Sequence, residues 1–260
     1  MDTHSLQTYL AGLPIPEIRY FDSIGSTNDE ALAWIAAGAG DGCLVVADQQ
    51  TRGRGRFQRR WITRAGAALA FSLILRPTAD EMARVGFFSP LGAIALSQAL
   101  EEQLGLNPLI KWPNDVLLAR KKVAGILVEA AWMGNQLHGM VIGIGLNITP
   151  QAVPPAGELL FPATSVEAEA GQPVDREALL KAILQSIFTW RALLQAETFH
   201  QAWEARLAFR GEWVRIEDSG QSPVTGQVMG IDPGGSLLLR NQAGETTAVA
   251  VGDLHLRLVE

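Results

Sequence analysis

The sequence is organised around one basic stretch, Gln49-Gln50-Thr51-Arg52-Gly53-Arg54-Gly55-Arg56-Phe57-Gln58-Arg59-Arg60-Trp61. Apolar runs at residues 43–47 and 67–75 flank it, and such runs are typical of buried strands. Glycine lets the backbone approach a ligand closely, and arginine can bind phosphate or carboxylate oxygens with two hydrogen bonds. The pattern therefore predicts an anion-binding loop between two core strands, with the Trp61 indole available to stack on a base.

The same stretch has two other interpretations, a solvated surface loop and a nucleic-acid-binding patch. The 260 residues include 21 Lys and Arg against 27 Asp and Glu, so the formal net charge is −6. A negatively charged chain has no general electrostatic affinity for nucleic acid. The charge balance therefore favours a local basic patch that faces a bound ligand.

The overall composition is that of a folded protein. Hydrophobic residues make up 48% and charged residues 18% of the chain, which is sufficient for a packed core. The only cysteine, Cys43, lies in an apolar run, and an internal disulfide is therefore excluded. No stretch has the pattern of a signal peptide or reaches the roughly 18 apolar residues that span a bilayer. We therefore expect a cytoplasmic protein without membrane contact.

Hydrophobic periodicity and turn residues predict both helices and strands in the first part of the chain. The cluster Ser26-Thr27-Asn28-Asp29-Glu30 offers a helix N-cap with acids in the first turn, and helix is predicted over residues 31–37. A second helix is predicted over residues 90–104. Residues 133–136 form the predicted turn of an antiparallel hairpin. The predicted strands cover residues 18–22, 43–47, 67–75, 116–118, 123–132 and 137–147.

The C-terminal part changes from helices to short strands. A loop at residues 149–162 precedes two predicted helices, over residues 176–196 and 199–208. Short alternating segments separated by Gly, Pro, Asn and Asp then predict a small β-barrel. These segments cover residues 212–217, 224–231, 236–240, 246–251 and 254–259. A boundary near Arg210 predicts two domains, residues 1–209 and residues 210–260.

Three groups of residues outside the basic stretch are candidates for ligand contacts. Ser26-Thr27-Asn28 offers hydroxyl and amide groups, although such clusters are often only helix caps. Lys111-Trp112-Pro113-Asn114-Asp115 has the composition of a tight turn, whose charged ends could also hold a nucleotide and its metal. Glycines interrupt two apolar strands at positions 125, 139, 143 and 145. Ordinary bulges explain one such glycine, whereas four indicate room for a flat apolar ligand on the sheet.

The order and spacing of these motifs resemble those of the biotin–protein ligases, the biotin–acetyl-CoA-carboxylase ligases. The shared blocks are Ser26-Thr27-Asn28, Gly53-Arg54-Gly55-Arg56 with Trp61, Lys111-Trp112-Pro113-Asn114-Asp115, Lys122-Val123-Ala124-Gly125-Ile126-Leu127-Val128-Glu129, and Gly143-Ile144-Gly145-Leu146-Asn147. One departure is that Phe57-Gln58 replaces the usual Arg-Gly, which affects how the loop tip closes. The resemblance covers about residues 18–208 and implies an α+β fold similar to class II synthetases. That fold has a mixed, largely antiparallel sheet flanked by helices, and the C-terminal barrel is similar to the family's SH3-like domain.

The resemblance also implies a reaction. ATP and biotin would form biotinyl-5′-AMP with release of pyrophosphate, and biotin would then pass to a lysine of a biotin carboxyl carrier domain. Mg²⁺ is the implied metal, with Asp115 as its ligand, and the implied catalytic residues are Lys122, Arg56 and Arg54. The implied biotin-binding residues are Ser26, Thr27, Asn28, Gln50, Gly53, Arg54, Arg56, Lys122, Gly125, Gly143 and Gly145. The implied ATP- and AMP-binding residues are Arg56, Arg59, Trp61, Lys111, Asn114, Asp115, Lys122 and Asn147.

Several expectations concern partners and alternatives. The loop at residues 149–162 is expected to close over the adenylate. About 17 residues precede the first predicted strand, too few for the helix-turn-helix domain of the family's repressors, so we expect a monofunctional form without DNA binding. The oligomeric state is left open, with a homodimer as one alternative. Two other functions are a lipoate or octanoyl–protein ligase and a non-catalytic nucleotide- or RNA-binding module.

Overall fold

The structure, a computed structural model, describes residues 1–56, 59–155, 157, 161–218, 223–250 and 254–258. Phe57-Gln58, part of the predicted closing loop and the last residue of two predicted barrel strands lie outside the described residues. The helices are α1 (Thr3–Tyr9), α2 (Thr27–Ala36), α3 (Ala79–Met82), α4 (Phe88–Leu104), α5 (Val166–Ala170), α6 (Arg176–Arg191) and α7 (Glu197–Ala205). The strands are β1 (Ile18–Ile24), β2 (Leu44–Gln50), β3 (Ala68–Leu75), β4 (Leu109–Lys111), β5 (Asp115–Leu118), β6 (Lys121–Met133), β7 (Gln136–Asn147), β8 (Trp213–Asp218), β9 (Val224–Ile231), β10 (Leu237–Arg240), β11 (Thr246–Val249) and β12 (Leu254–Leu258).

A seven-stranded sheet forms the centre of the fold, with the strand order β1-β2-β3-β7-β6-β5-β4. β1 and β2 are parallel, and the other neighbouring pairs are antiparallel. The predicted mixed, largely antiparallel sheet is therefore confirmed, as is the predicted hairpin, which is formed by β6 and β7. β3 lies between β2 and β7 and is buried along its whole length, which explains why seven of its eight residues are apolar.

The two faces of this sheet pack against different helices. α4 contacts β4 to β7 on one face and packs against α6, and this side holds the larger hydrophobic core. α2 contacts β2, β3, β6 and β7. Its Trp34 and Ile35 form a smaller core with residues of the opposite face, including Ile74 and Val141. The sheet is thus covered by helices on both faces, and the N-terminus of α2 points toward the glycine-bearing strands β6 and β7.

The boundaries of several elements differ from the predicted ones. β2 continues to Gln50, so the first residues of the basic stretch are strand rather than loop. α6 ends at Arg191, five residues before the predicted end, and the Arg191 guanidinium pairs with Asp41 and Glu81. α1 was not predicted, and the Asp2 side chain caps it.

The C-terminal segment forms a second sheet, an antiparallel one with the order β11-β10-β9-β8-β12. The predicted short strands are present, within the described residues. This sheet packs on the rest of the chain, where the Trp112 indole N–H donates to the Gly235 carbonyl at 3.1 Å. Val214 and Leu237 belong to the same hydrophobic cluster as the large core beneath α4. In the described part of the chain, every helix is too short or too polar to cross a bilayer.

Candidate active site

A cavity of about 510 Å³ opens where the N-terminus of α2 meets β6 and β7. The predicted site residues that line it are Ser26, Thr27, Asn28, Gln50, Arg54, Arg56, Arg59, Trp61, Lys111, Asn114, Asp115, Lys122, Gly125, Gly143, Gly145 and Asn147. Gly53 is the exception, because it is not part of the cavity wall. A Cβ at Gly53 would overlap the Trp61 carbonyl oxygen, so this glycine allows the two limbs of the basic loop to approach each other.

The first residues of α2 form the uncharged, polar end of the cavity. Ser26, the first residue of the predicted capping cluster, is the N-cap, but its side chain makes no capping hydrogen bond. The Gln50 side-chain oxygen caps the helix instead and accepts from the Thr27 backbone N–H at 2.8 Å. The Thr27 hydroxyl lies 3.0 Å from the same Gln50 oxygen and 2.8 Å from the Ser72 hydroxyl. Ser26 is therefore free to serve as a wall residue rather than as a cap.

Asn28 links α2 to the central strands. Its amide nitrogen donates to the Leu127 carbonyl at 3.2 Å and to the Glu129 carboxylate at 2.8 Å. Its amide oxygen lies 2.6 Å from the Ser72 hydroxyl. Asn28 and Ser72 are both buried, so this network fixes the position of α2 on the sheet.

The strand glycines accommodate side chains of the site itself. A Cβ at Gly143 would overlap the Asn28 amide, and one at Gly145 would overlap the Trp61 indole. The sequence predicted that these glycines leave room for a flat ligand. In the structure the space directly above them holds Asn28 and Trp61, so any ligand lies against these two side chains.

A tight turn, confirmed between β4 and β5, brings two lysines to one carboxylate. Lys111 and Asp115 are opposite each other in the ladder, and the Lys111 ammonium is 3.4 Å from the carboxylate. The Lys122 ammonium is 2.6 Å from the other Asp115 oxygen and passes beside Gly125, where a Cβ would lie 3.3 Å from it. Burial opposes ionisation of Asp115, but the two ammonium groups outweigh it, and the pKa of Asp115 lies below its ordinary value. Burial, together with repulsion from Lys122, lowers the pKa of Lys111 despite the attraction of Asp115.

The backbone of Lys122 is held separately from its side chain. Its N–H donates to the Pro162 carbonyl at 2.7 Å, and its carbonyl accepts from the Thr164 N–H at 2.9 Å. These bonds form a short parallel bridge between Lys122 and Ala163. The segment after the predicted closing loop therefore pairs with the strand that carries Lys122, and Phe161 and Ala152 line the cavity beside it.

The basic loop is a narrow hairpin that projects over the cavity. The Gly55 N–H donates to the Arg59 carbonyl at 2.8 Å, and the Trp61 N–H donates to the Gly53 carbonyl at 2.9 Å. Near its tip, Arg56 contacts the Asn114 amide oxygen at 3.3 Å. Arg56 and Arg59 both reach the cavity, so the basic loop and the turn at residues 111–115 line the same cavity.

Arg54 occupies a different environment. Its guanidinium makes two hydrogen bonds to the Glu129 carboxylate, at 2.9 and 2.8 Å, and an ion pair of 2.6 Å with Asp29. Burial opposes the charge on Arg54, but the two carboxylates prevail and its pKa is raised. Its predicted contact with a substrate anion stays a prediction.

Asn114, Asn147 and Trp61 are the remaining predicted residues that line the cavity. The Asn114 amide nitrogen donates to the Ile126 carbonyl at 2.8 Å, and the Asn147 amide nitrogen donates to the Thr164 carbonyl at 3.0 Å. The Trp61 indole nitrogen is buried and has no hydrogen-bond partner in the described part of the chain. This nitrogen lies against β7, where a Cβ at Gly145 would overlap it, so the donor faces the sheet rather than a ligand.

Three residues of these networks were not predicted as site residues. Ser72 is the single polar residue in the apolar run of β3, and that irregularity was the signal available in the sequence. Glu129 ended a recognised block and Asp29 lay in the predicted capping segment, but their importance depends on contacts with Arg54 of the basic loop. Among the described residues, no group of three or more His, Cys, Asp or Glu side chains could hold a metal ion.

Comparisons with known proteins agree with these motifs. The profile of the Biotin/lipoate A/B protein ligase family matches residues 20–147. A biotin–[acetyl-CoA-carboxylase] ligase of Paracoccus denitrificans is 39% identical over 227 residues, which cover 84% of this chain and 92% of that protein. A ligase of the same name from Mycobacterium tuberculosis is 33% identical over 269 residues, which cover 99% of this chain and 96% of that protein. The structure of a biotin protein ligase from Aquifex aeolicus, in complex with biotin and ATP, matches with a TM-score of 0.82 at 27% identity and covers 94% of this chain and 100% of that one. The chain therefore belongs to the biotin protein ligases, within the Biotin/lipoate A/B protein ligase family.

Proposed function

We propose that this protein activates biotin with ATP to form biotinyl-5′-AMP and then transfers biotin to a lysine of a biotin carboxyl carrier domain. The observation that carries the proposal is the division of one cavity into two chemically different ends. Hydroxyl and amide groups of α2 and Gln50 form one end, and arginines and lysines form the other. Its volume is within the range of about 300–1,000 Å³ that is usual for small-ligand sites.

The uncharged end has an excess of hydrogen-bond acceptors. Four side-chain oxygens form a line, Gln50 Oε1, Thr27 Oγ1, Ser72 Oγ and Asn28 Oδ1, with successive separations of 3.0, 2.8 and 2.6 Å. Each of the two hydroxyls can donate one proton, and the two amide oxygens can only accept. At most two of the three contacts can therefore be hydrogen bonds at the same time. A ligand with N–H donors supplies what this line lacks. The ureido ring of biotin has such donors, and we propose that Thr27 and Gln50 bind them, with Ser26 and Asn28 completing the wall.

The charged end suits the joining of two anions. A carboxylic acid with a pKa of about 4 to 5 is already ionised at neutral pH, so activation needs no general base. Two unit charges 4 Å apart repel by about 4 kcal/mol at an effective dielectric constant of 20. We propose that Arg56, Arg59 and Lys122 offset this repulsion at the biotin carboxylate and the α-phosphate, and that they stabilise the charge that moves onto pyrophosphate.

The base of the nucleotide is assigned to the region between Trp61 and Asn114. The indole offers a face for stacking. The Asn114 amide nitrogen already donates to Ile126 and its amide oxygen accepts from Arg56, so Asn114 offers the second lone pair of that oxygen. Asn147 and Lys111 complete this part of the wall. Gly125, Gly143 and Gly145 contribute indirectly, because they admit Lys122, Asn28 and Trp61 to their positions in the site.

Mg²⁺ is expected with the triphosphate, because this ion commonly binds through substrate phosphates and one or two carboxylates. Both oxygens of Asp115, the predicted ligand, lie against ammonium groups, which repel a cation. The residues around Asp115 therefore do not fit a Mg²⁺ site held by the protein. We assign Asp115 instead to the orientation of Lys111 and Lys122.

The transfer step begins with a carrier lysine whose ordinary pKa is about 10.4, so it must lose a proton before it attacks the acyl phosphate. None of the described cavity residues is an evident base for this proton. The acyl phosphate is activated, and close placement of the two reactants supplies a large part of such a rate.

Four further assignments belong to this proposal. Residues 1–209 form the catalytic domain, and residues 210–260 form an SH3-like domain; the antiparallel second sheet supports the latter. We propose a cytoplasmic location, where ATP is available, without DNA as a partner. The rival lipoate or octanoyl ligase shares the family, but the Paracoccus denitrificans and Mycobacterium tuberculosis relatives are named for biotin. A non-catalytic RNA-binding module is disfavoured by the net charge of −6.

The direct test is ATP–pyrophosphate exchange that depends on biotin, followed by incorporation of labelled biotin into a carrier domain. We expect Lys122→Ala and Arg56→Ala to lower the exchange rate about 100-fold or more, as loss of a preorganised charge does elsewhere. Lys121→Ala is the matched control, since its exposed side chain pairs with Glu169 outside the cavity. Exchange driven by lipoate or octanoate rather than biotin would favour the rival ligase, and normal exchange in both variants would refute the assigned roles.

A further inference from the structure

Two carboxylates of the protein balance the charge of Arg54 in the basic loop. Its two guanidinium nitrogens bind the two Glu129 oxygens at 2.9 and 2.8 Å in a bidentate pair, and one of them also binds Asp29 at 2.6 Å. This group of three side chains carries a net charge of −1. A substrate anion gains little from approaching it, in contrast to the end of the cavity that holds Lys111 and Lys122.

Glu129 joins three separate parts of the chain. It lies on β6, on the same face as Gly125 and Leu127, and its carboxylate accepts from Arg54 of the basic loop. The same carboxylate accepts from the Asn28 amide at 2.8 Å, which belongs to the first turn of α2. One side chain therefore connects the loop with the cationic groups to the helix with the polar groups.

The two limbs of the basic loop pair with each other through backbone contacts. Arg54 and Arg60 form an antiparallel bridge, and the Gly55 N–H donates to the Arg59 carbonyl. These contacts hold residues 54 and 55 of the first limb against residues 59 and 60 of the second. The direction in which Arg56 enters the cavity therefore depends on where Arg54 is held.

We propose that Glu129 is a positioning residue of the ligase, and that Arg54 is its clamp rather than a substrate ligand. The carboxylate of Glu129 holds the basic loop against β6 so that Arg56 and Arg59 face the biotin carboxylate and the phosphates. This inference rests on the proposed function for its substrates, but the clamp itself is a property of the free protein. Asp29, at the first turn of α2, supports the same guanidinium.

The test compares Glu129→Gln with wild type and with Glu212→Gln. Glutamine keeps the shape of the side chain and can still accept from Asn28, but it loses the charged pair with Arg54. Glu212 makes an equally bidentate pair with Arg120, at 2.8 and 2.8 Å, outside the cavity, so it controls for the loss of any such pair. The measurements are KM for biotin and kcat in pyrophosphate exchange, the rate at which preformed biotinyl-5′-AMP is released, and trypsin cleavage within residues 52–60.

For Glu129→Gln we expect KM for biotin to rise about tenfold, with kcat changed less than threefold. Release of the adenylate and trypsin cleavage of the loop should each be several-fold faster. Glu212→Gln should match wild type in all of these measurements. Unchanged KM and unchanged cleavage in Glu129→Gln would overturn the inference. Absence of exchange in the wild-type protein would instead refute the proposed function, while the cleavage result would still decide the clamp.

A double-mutant cycle separates a clamp from a ligand. If Arg54 acts only through Glu129, then Arg54→Gln, Glu129→Gln and the double variant should raise KM by similar factors. Additive effects, or a far larger loss of kcat in Arg54→Gln alone, would make Arg54 a substrate ligand and overturn the inference. Arg54→Lys keeps the charge but not the fork, and we expect it to behave as Glu129→Gln does. Arg54→Lys also replaces Glu129→Gln as the test if Glu129→Gln fails to fold. Wild-type kinetics and wild-type trypsin cleavage in Arg54→Lys would contradict the clamp.

Discussion

Replacing Asp115 by asparagine tests the charge arrangement at the centre of the site. The change preserves the shape of the side chain but leaves Lys111 and Lys122 without their shared counter-charge. At an effective dielectric constant of 20, separations of 2.6 and 3.4 Å correspond to gross attractions of about 6 and 5 kcal/mol. Desolvation offsets most of this, and removal of one partner of a buried pair costs about 3–5 kcal/mol net. Because the Lys122 side chain is 26% exposed and can move toward water, we expect a loss of about 3 kcal/mol.

Thermal unfolding measures this loss directly. A decrease of about 3 kcal/mol lowers Tm by roughly 6–12 °C in a chain of this size. The two ammonium groups of the variant are without a carboxylate, so pyrophosphate should raise its Tm more than it raises that of wild type. The double variant with Lys111→Met should recover part of the lost stability, because it removes one of the two repelling charges.

The pH dependence provides an independent check. The pKa of Asp115 is lowered in the folded protein, so its contribution to stability is complete above the ordinary value of 3.8. The contribution is lost only as the pH falls through the folded-state pKa. The difference in Tm between wild type and Asp115→Asn should therefore be constant from about pH 5 to 8 and shrink in acid below that window. A Tm difference under about 2 °C at pH 7, together with normal exchange, would refute the reasoning.

Two further variants test the packing of the site. In Gly143→Ala the new methyl group overlaps the Asn28 amide, which is buried and whose nitrogen and oxygen are both hydrogen-bonded. We expect the free energy of unfolding in urea to fall by about 2 kcal/mol and biotin binding by calorimetry to weaken at least tenfold. Wild-type affinity would contradict the assigned role of Asn28. In Trp112→Phe the Gly235 carbonyl loses its indole donor and a cavity is left, so we expect the free energy of unfolding to fall by about 2 kcal/mol. An unchanged Tm would show that this contact does not attach the second sheet.

Local features of the fold were predictable from the sequence, because their causes lie within a few residues. The turn of the β6–β7 hairpin contains Gly134, which adopts φ +60°, a conformation that glycine favours. The turn between Lys111 and Asp115 follows similarly from Pro113 and Asn114. The end of α6 was predicted five residues too late, since helix-forming residues such as Leu193, Leu194 and Ala196 continue the pattern past Arg191.

The residues that line the cavity were predictable from the sequence to a greater extent than their hydrogen-bond and ion-pair partners. Motifs identified the cavity residues, because each motif is a short segment whose side chains reach the same end of the sheet. The partners of those residues depend on pairing at long range: Arg54 meets Glu129 across 75 positions, and Ser72 meets Asn28 across 44. Sequence reasoning therefore assigned Arg54 to a substrate anion, because an arginine in a glycine-rich loop does not indicate which carboxylate lies opposite.

The charges of the site fall into two kinds, and the difference bears on how the site works. The Arg54 fork is fixed by a bidentate pair and a second carboxylate, so moving it would break three contacts at once. The Lys122 ammonium has one close partner, Asp115, whereas its backbone is held independently by Pro162 and Thr164. Its flexible stem can therefore exchange the Asp115 carboxylate for a substrate oxygen without any change in the strand that carries it. A fixed cation suits the assembly of the site and an exchangeable one suits the reaction, which is why we assign the clamp to Arg54 and the contact with the reacting groups to Lys122.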